Sequence, residues 1–354
     1  MSFIVNEHIS LEQEKGGPVE LVVTGDEFYA IHETPDGYTA VYDQDRGMYC
    51  YAVLAEGSFV STGSSIAKRP PRGIRRHLRE TPEIRSGQLR GRYSQLRSPG
   101  ALSPFAGNRT FGANAGLLPG RRVSEGEVRG LTILVEFADV RSTVSKDDVE
   151  EMLNADEYNR NGNHCSVKRY FETVSSGWLK YTNDVVGPIT LGRDRNYYHS
   201  HSPIEEAIER AAAQNTIDLS RYDSRNAGFV DALNIMYAGR TQYVDGYLWP
   251  HNSAVNHTVR GKRFNLYMIT SMGRQAIDLS IGTFCHENGH LLCRFPDLYD
   301  YGRRDNDADP SYGMGVYCLM SAGNHLNKGR TPAPVCAYLR YLANWYDAQT
   351  LLHT

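Results

Sequence analysis

Two histidines four residues apart, His286 and His290, lie within an apolar stretch, and this places the strongest constraint on what the chain can fold into. Residues 280–293 predict a helix, and on a helix residues four apart share a face one turn up. Both imidazoles can then be presented to one metal ion. Glu287 is rotated by about 100° from His286, so it flanks that ion without displacing a histidine. The flanks of the pair are small and apolar, so the helix must be buried inside a domain large enough to enclose it. Gly289 lowers helix stability by about 1 kcal/mol relative to alanine, which predicts a spatial requirement: a clear space beside the metal, or a tight packing contact.

The donor set points to zinc, which accepts imidazole nitrogen and in catalytic sites keeps one position open for water. The ion lowers the pKa of that water to roughly 7. A carboxylate at Glu287 can take its proton and pass it to a leaving amine. A third ligand must come from elsewhere, and no glutamate follows residue 290. The candidates are Asp297, Asp300, Asp305, Asp307, Asp309, His325 and Cys293. Asp297 follows His290 by seven residues, and a chain reversing through Cys293-Arg294-Phe295-Pro296 can return its carboxylate beneath the metal.

At 354 residues the chain is long enough for about two domains of about 100–200 residues each. A net charge of −3 argues against a nucleic-acid partner. No apolar run approaches the roughly 20 residues needed to span a bilayer, and the first residues lack the basic-then-apolar pattern of a secretory signal. The six cysteines include no Cys-x-x-Cys pair, so the first expectation is small buried hydrophobes. A local disulfide among Cys285, Cys293 and Cys318 is the second.

Residues 18–60 alternate apolar and polar between turn signals such as Pro35-Asp36-Gly37 and Asp45-Arg46-Gly47. They predict an antiparallel meander of three to five short strands. Residues 65–125 are rich in arginine, then in glycine, proline and serine, and predict a basic linker of low order. From 126 onward the pattern is mixed: a buried strand over 131–137, an amphipathic helix over 166–174, a strand from 179, a helix over 203–213 and a strand over 232–238. The expected fold class is thus α+β: a β-rich unit over 1–64, a linker over 65–125 and a catalytic α/β unit over 126–354.

With these motifs together, the chain resembles the immune inhibitor A-type family of metzincin-like bacterial metalloproteases. The resemblance rests on His286-Glu287-Asn288-Gly289-His290, on Phe295-Pro296-Asp297-Leu298-Tyr299-Asp300, and on Tyr317-Cys318-Leu319-Met320-Ser321-Ala322-Gly323-Asn324-His325. Weaker matches at 166–171, Leu248-Trp249-Pro250-His251, Thr331-Pro332-Ala333 and 25–34 extend it over most of the chain. It implies that His286 and His290 bind zinc, that Glu287 is the general base, and that Met320 lies in a turn beneath the metal. It also implies a removable propeptide at the N-terminus and an extracellular location. The chain departs from the family's run by one extra residue before Pro296-Asp297, with Cys293-Arg294 in place of a glycine. Residues 223–231 sit where relatives carry a calcium-type turn, but Arg225 and Ala227 replace the oxygen donors that calcium needs. A simple turn is expected there.

His251 and His325 read as hydrogen-bonded histidines, each also able to stabilise an oxyanion. Tyr299, Tyr338 and Tyr341 are candidate donors to a tetrahedral intermediate. The resulting expectation is a zinc endopeptidase acting on proteins or peptides laid along an edge strand. The alternatives are a zinc amidohydrolase acting on small or cell-wall peptides, and a degenerate metal-binding relative. No membrane or nucleic-acid partner is expected, and nothing fixes the oligomeric state.

Overall fold

The alternation read between residues 18 and 60 extends in both directions, into a meander of six antiparallel strands. They are β1 (Ile4–Leu11), β2 (Val19–Gly25), β3 (Ala30–Glu33), β4 (Thr39–Asp43), β5 (Met48–Ala55) and β6 (Ser58–Ser65), paired in chain order. The computed structural model describes residues 3–96, 117–214, 217–241, 243, 246–300 and 311–345. The count exceeds the three to five strands expected because β1 and β6, rich in polar residues, lie at the two edges of the sheet, where alternation is weakest. Val19, Leu21 and Val23 face a small core with Ile4, Leu11, Ala40 and Tyr49, and Trp249 from the second half of the chain completes it. The sheet therefore does not close its own core.

The basic stretch also differs from its expected low order, as far as Leu96. Helix α1 spans Pro82–Leu96. Its Arg92 is buried and donates from Nε to the Glu27 carbonyl at 3.1 Å, and from Nη2 to the Gly246 carbonyl. Upstream of the helix, buried Glu80 accepts from Ser58 Oγ at 2.8 Å and from the Phe59 amide at 2.7 Å. These charged side chains find protein partners instead of water, which composition does not reveal. Residues 97–116 lie outside the described residues. By Leu118 the chain has joined the second unit, where the Leu118 amide bonds the Arg294 carbonyl at 2.7 Å and the Val123 amide bonds the Leu292 carbonyl at 2.9 Å.

The second unit is built on a five-stranded sheet. In chain order its elements are β7 (Gly126–Glu136), α2 (Lys146–Asn154), α3 (Val167–Val174), β8 (Leu179–Thr190), α4 (Tyr197–Ser200), α5 (Ile204–Ala213), β9 (Leu233–Ala238), β10 (His251–Val259), β11 (Lys262–Gly273), α6 (Gly282–Cys293), α7 (Leu326–Gly329) and α8 (Ala337–Leu342). The strand order is β10-β11-β9-β7-β8, with β10 antiparallel at one edge and the remaining pairs parallel. Local chemistry sets the ends of the elements. The Ser166 hydroxyl caps α3 by accepting from the Arg169 amide at 3.1 Å, and Ser145 with Asp148 forms a capping box on α2.

Alternation along β7 serves two cores. Leu131, Ile133 and Val135 pack with Ile204, Ala207 and Ile208 of α5, while Val128 and Leu134 belong to the core that holds Phe171 of α3 and Phe284 and Leu291 of α6. The molecule is thus α+β, with an antiparallel meander followed by a mixed sheet covered by helices. The two units are joined by polar contacts. Glu12 pairs with Arg195 at 2.8 Å and also with Arg274, and His32 Nε2 lies 2.6 Å from the Tyr243 carbonyl. The turn around Asp223 is a simple one: its carboxylate accepts from the Ala227 and Gly228 amides at 2.8 Å and from Lys262 Nζ at 2.7 Å.

Candidate metal centre

Helix α6 is buried along nearly its whole length. It starts at Gly282, where a Cβ would lie 2.0 Å from the Asn324 carbonyl oxygen, so only glycine permits this approach. It ends at Arg294, which holds a left-handed conformation (φ 59°) that usually favours glycine. The resulting strain is about 1–2 kcal/mol. It is offset by bonds from Arg294 Nε to the Arg121 carbonyl at 2.8 Å and from Nη1 to the His290 carbonyl at 3.3 Å. The reversal is thus made with arginine at a position that usually favours glycine, and it carries Asp297 back beneath the helix.

The structure brings His286, His290 and Asp297 together. Asp297 Oδ1 lies 3.1 Å from His286 Nε2 and 3.4 Å from His290 Nε2, and the two Nε2 atoms are 3.2 Å apart. The three ligand atoms lie within 4.8 Å of one another, and all three residues are buried. The far side of each ring is fixed by the backbone. His286 Nδ1 bonds the Leu319 carbonyl at 2.7 Å, and His290 Nδ1 bonds the Phe295 carbonyl at 2.6 Å. A carbonyl oxygen only accepts, so each Nδ1 must carry a proton, and each ring turns its Nε2 toward the other and toward a carboxylate. Burial holds His286 below its usual pKa, against the raising effect of Asp297 and Glu287, which favours the neutral ring. Burial raises the Asp297 carboxyl, but His290 and His286 help to hold it well below the usual range. Three electron-pair donors converging in a dry site fit a cation.

Glu287 is fully buried, and its Oε2 accepts from Asn252 Nδ2 of β10 at 3.0 Å. Met320 lies under the helix, and its packing explains Gly289: a Cβ there would sit 2.7 Å from Met320 Sδ. Of the two requirements expected for this glycine, tight packing is the one seen. Gly289→Ala is therefore expected to lower stability by about 1–3 kcal/mol through overpacking. In a double-mutant cycle with Met320→Ala, most of that loss should vanish. Strictly additive losses in denaturant unfolding would reject this contact as the cause.

A polar layer joins the helix to the sheet. Asn288 accepts from Tyr181 Oη at 2.8 Å and donates to Asn234 Oδ1 at 2.9 Å, while Asn234 Nδ2 donates to Asn183 Oδ1 at 3.0 Å. Asn288 and Asn234 are 0% exposed. Sequence reasoning missed this layer and Asn252. The available signal was an asparagine in each of two otherwise apolar segments, 232–238 and 280–293.

The other candidates are not among the three converging ligands. Asp300 forms a backbone bridge with Ser311, and Cys293 packs in the apolar core. His251 bonds the Trp249 carbonyl at 2.6 Å and Tyr267 Oη at 3.0 Å, with burial pulling its pKa down to about 4. His325 is held at about 3 by burial and by the nearby His286. Tyr338 and Tyr341 are exposed, whereas Tyr299 is buried. Asp305, Asp307 and Asp309 lie outside the described residues.

The meander reaches the centre. Phe3 stacks on Tyr299 with ring centroids 4.8 Å apart. Ile4 shares a cavity of about 350 Å³ with Thr283 of α6 and with His325. Two carboxyls of the meander are buried nearby. Burial raises Asp26 to about 7, against the amides of Phe28 and Tyr29, and the charge on Asp297 raises it further. Glu27 is raised well above its usual value by burial, with Asp26, Glu287 and Asp297 adding to the effect. His286, Glu287, His290 and Asp297 are at most 4% exposed.

Fold and site together define an α+β protein with a buried His-His-Asp cluster suited to a metal ion. No protein-family model matches the chain, and no characterised protein matches it in sequence. Among solved structures, metalloproteinase-II from Bacteroides fragilis aligns with 94% of this chain and 84% of its own at 11% identity, with a TM-score of 0.28. That likeness is too weak to carry an argument, so the functional reading rests on the site itself.

Proposed function

We propose that this chain is a zinc-dependent endopeptidase. One observation carries the reading: two histidines whose Nδ1 protons are committed to the Leu319 and Phe295 carbonyls aim their remaining lone pairs, with Asp297, at a common point. His286, His290 and Asp297 hold the ion. When bound, zinc supplies Lewis acidity that polarises a carbonyl and acidifies water. Glu287, its Oε2 anchored by Asn252, accepts the proton of the attacking water at Oε1 and delivers it to the leaving amine. Strand β10, which bears Asn252 and forms the edge of its sheet, is where an extended peptide adds. The motif resemblance to immune inhibitor A-type proteases supports the same chemistry, and with it an extracellular setting.

The reading includes latency. A site this thoroughly covered admits no polypeptide, so the meander acts as an inhibitory prodomain. The test of the metal is direct. Purified protein should contain about one zinc per chain, removable with 1,10-phenanthroline, and His286→Ala should contain almost none. Protein purified without chelators that holds no metal, and takes up none on addition of zinc, would refute the proposal.

A further inference from the structure

Among the six cysteines one pair is in contact, and it is not among those expected from sequence: the neighbour of Cys318 is Cys336, not Cys285 or Cys293. The Cys336 amide donates to Cys318 Sγ at 3.3 Å. The backbone holds the two segments side by side. The Leu319 amide bonds the Pro334 carbonyl at 3.1 Å, and the Ala333 amide bonds the Gly323 carbonyl at 2.9 Å. Cys318 is buried and Cys336 half-buried. Between them runs the turn that carries the Leu319 carbonyl, which orients His286, and Met320, which packs under Gly289.

We propose that Cys318 and Cys336 form a disulfide under oxidising conditions, fastening the turn beneath the metal centre to the start of α8. Two features favour it. The backbone of Cys336 already lies against Cys318 Sγ, which sets the two residues at the close approach that a sulfur–sulfur bond of about 2.0 Å requires. Cys336 also occupies the N-cap position of α8. There the bond from Cys318, followed by the amides of Leu339 and Tyr338, outweighs burial and brings its thiol down to about 6. Cys336 is then the attacking thiolate at neutral pH. It attacks one sulfur of glutathione disulfide and expels a glutathione thiolate, which takes up a proton. Cys318 then loses its proton, attacks Cys336 Sγ and expels the second glutathione. The protein loses two protons and two electrons, and the reagent gains them as two thiols.

The experiment uses the full-length chain incubated with glutathione disulfide, then denatured and alkylated. The expected product has four alkylatable thiols, a mass two hydrogens lower, and a non-reduced peptide joining Cys318 to Cys336. Its thermal midpoint should exceed that of the reduced protein by roughly 5 °C, a gain absent in Cys336→Ser. Six alkylatable thiols, a cross-link between other cysteines, or glutathione that stays on Cys336 would each overturn the proposal. The thiol count does not depend on zinc or peptidase activity, so its failure is separable from that of the proposed function.

Discussion

Glu287→Gln is expected to keep its metal and to lose peptide hydrolysis by a factor on the order of 10²–10⁴, the usual contribution of a general acid-base group. The substitution is nearly isosteric. Its amide oxygen can still accept from Asn252, as Glu287 Oε2 does at 3.0 Å, so the buried pocket stays filled and paired. The one property removed is the ability to take a proton. The measurement is kcat/KM on casein or a fluorogenic peptide, using activated protein, beside metal content and a thermal melt. A variant that is folded, metal-loaded and within threefold of the parent would end the proposed role for Glu287. Loss of metal together with activity would instead show that Glu287 holds the site together.

Cutting the chain between residues 97 and 116 should raise peptidase activity by about 100-fold or more. The estimate comes from what opening must undo. Phe3, stacked on Tyr299, and Trp249, seated in the meander's core, are 3% and 0% exposed, and re-exposing an apolar side chain of this size costs about 1.5–3 kcal/mol. Two such side chains limit the open form to roughly 1% or less, and the observed rate falls in that proportion. The Glu12 pairs with Arg195 and Arg274 tighten the closure further. Limited proteolysis followed by a chelator-sensitive assay reads the outcome. If the cut chain, with the meander separated from it, is no more active than the intact one, the meander is a structural domain. A small-amide substrate entering the covered site then becomes the better reading.

Much of this was legible in the residues. The spacing of His286 and His290 specified a helix with both rings on one face, and the return of Asp297 followed from the turn-like segment between Cys293 and Pro296. The strands over 131–137 and 232–238 were visible because alternation and apolar runs report burial locally. The order in residues 66–96 was not. An arginine that ends in water and one that ends on a carbonyl of another domain look alike in sequence, and Arg92 is the second kind. The partnership of Cys318 with Cys336 was likewise hidden, because it depends on which loops the fold lays side by side. So was Asn252, whose role depends on a helix more than 30 residues later in the chain.

A helix wrapped on every side by apolar neighbours has little to tell it which way to roll about its own axis, since each azimuth buries similar grease. In α6 Asn288 helps to resolve that ambiguity, beside the bonds that His286, Glu287 and His290 make. Turned by even a quarter revolution, the helix would strand the amide of Asn288 and the groups of Tyr181 and Asn234 that meet it. Because Asn288 adjoins Glu287, the angular setting it enforces is inherited by the carboxylate and by both imidazoles. The aim of the side that bears the His-His-Asp cluster is thus steadied from the opposite flank, by uncharged side chains outside that cluster.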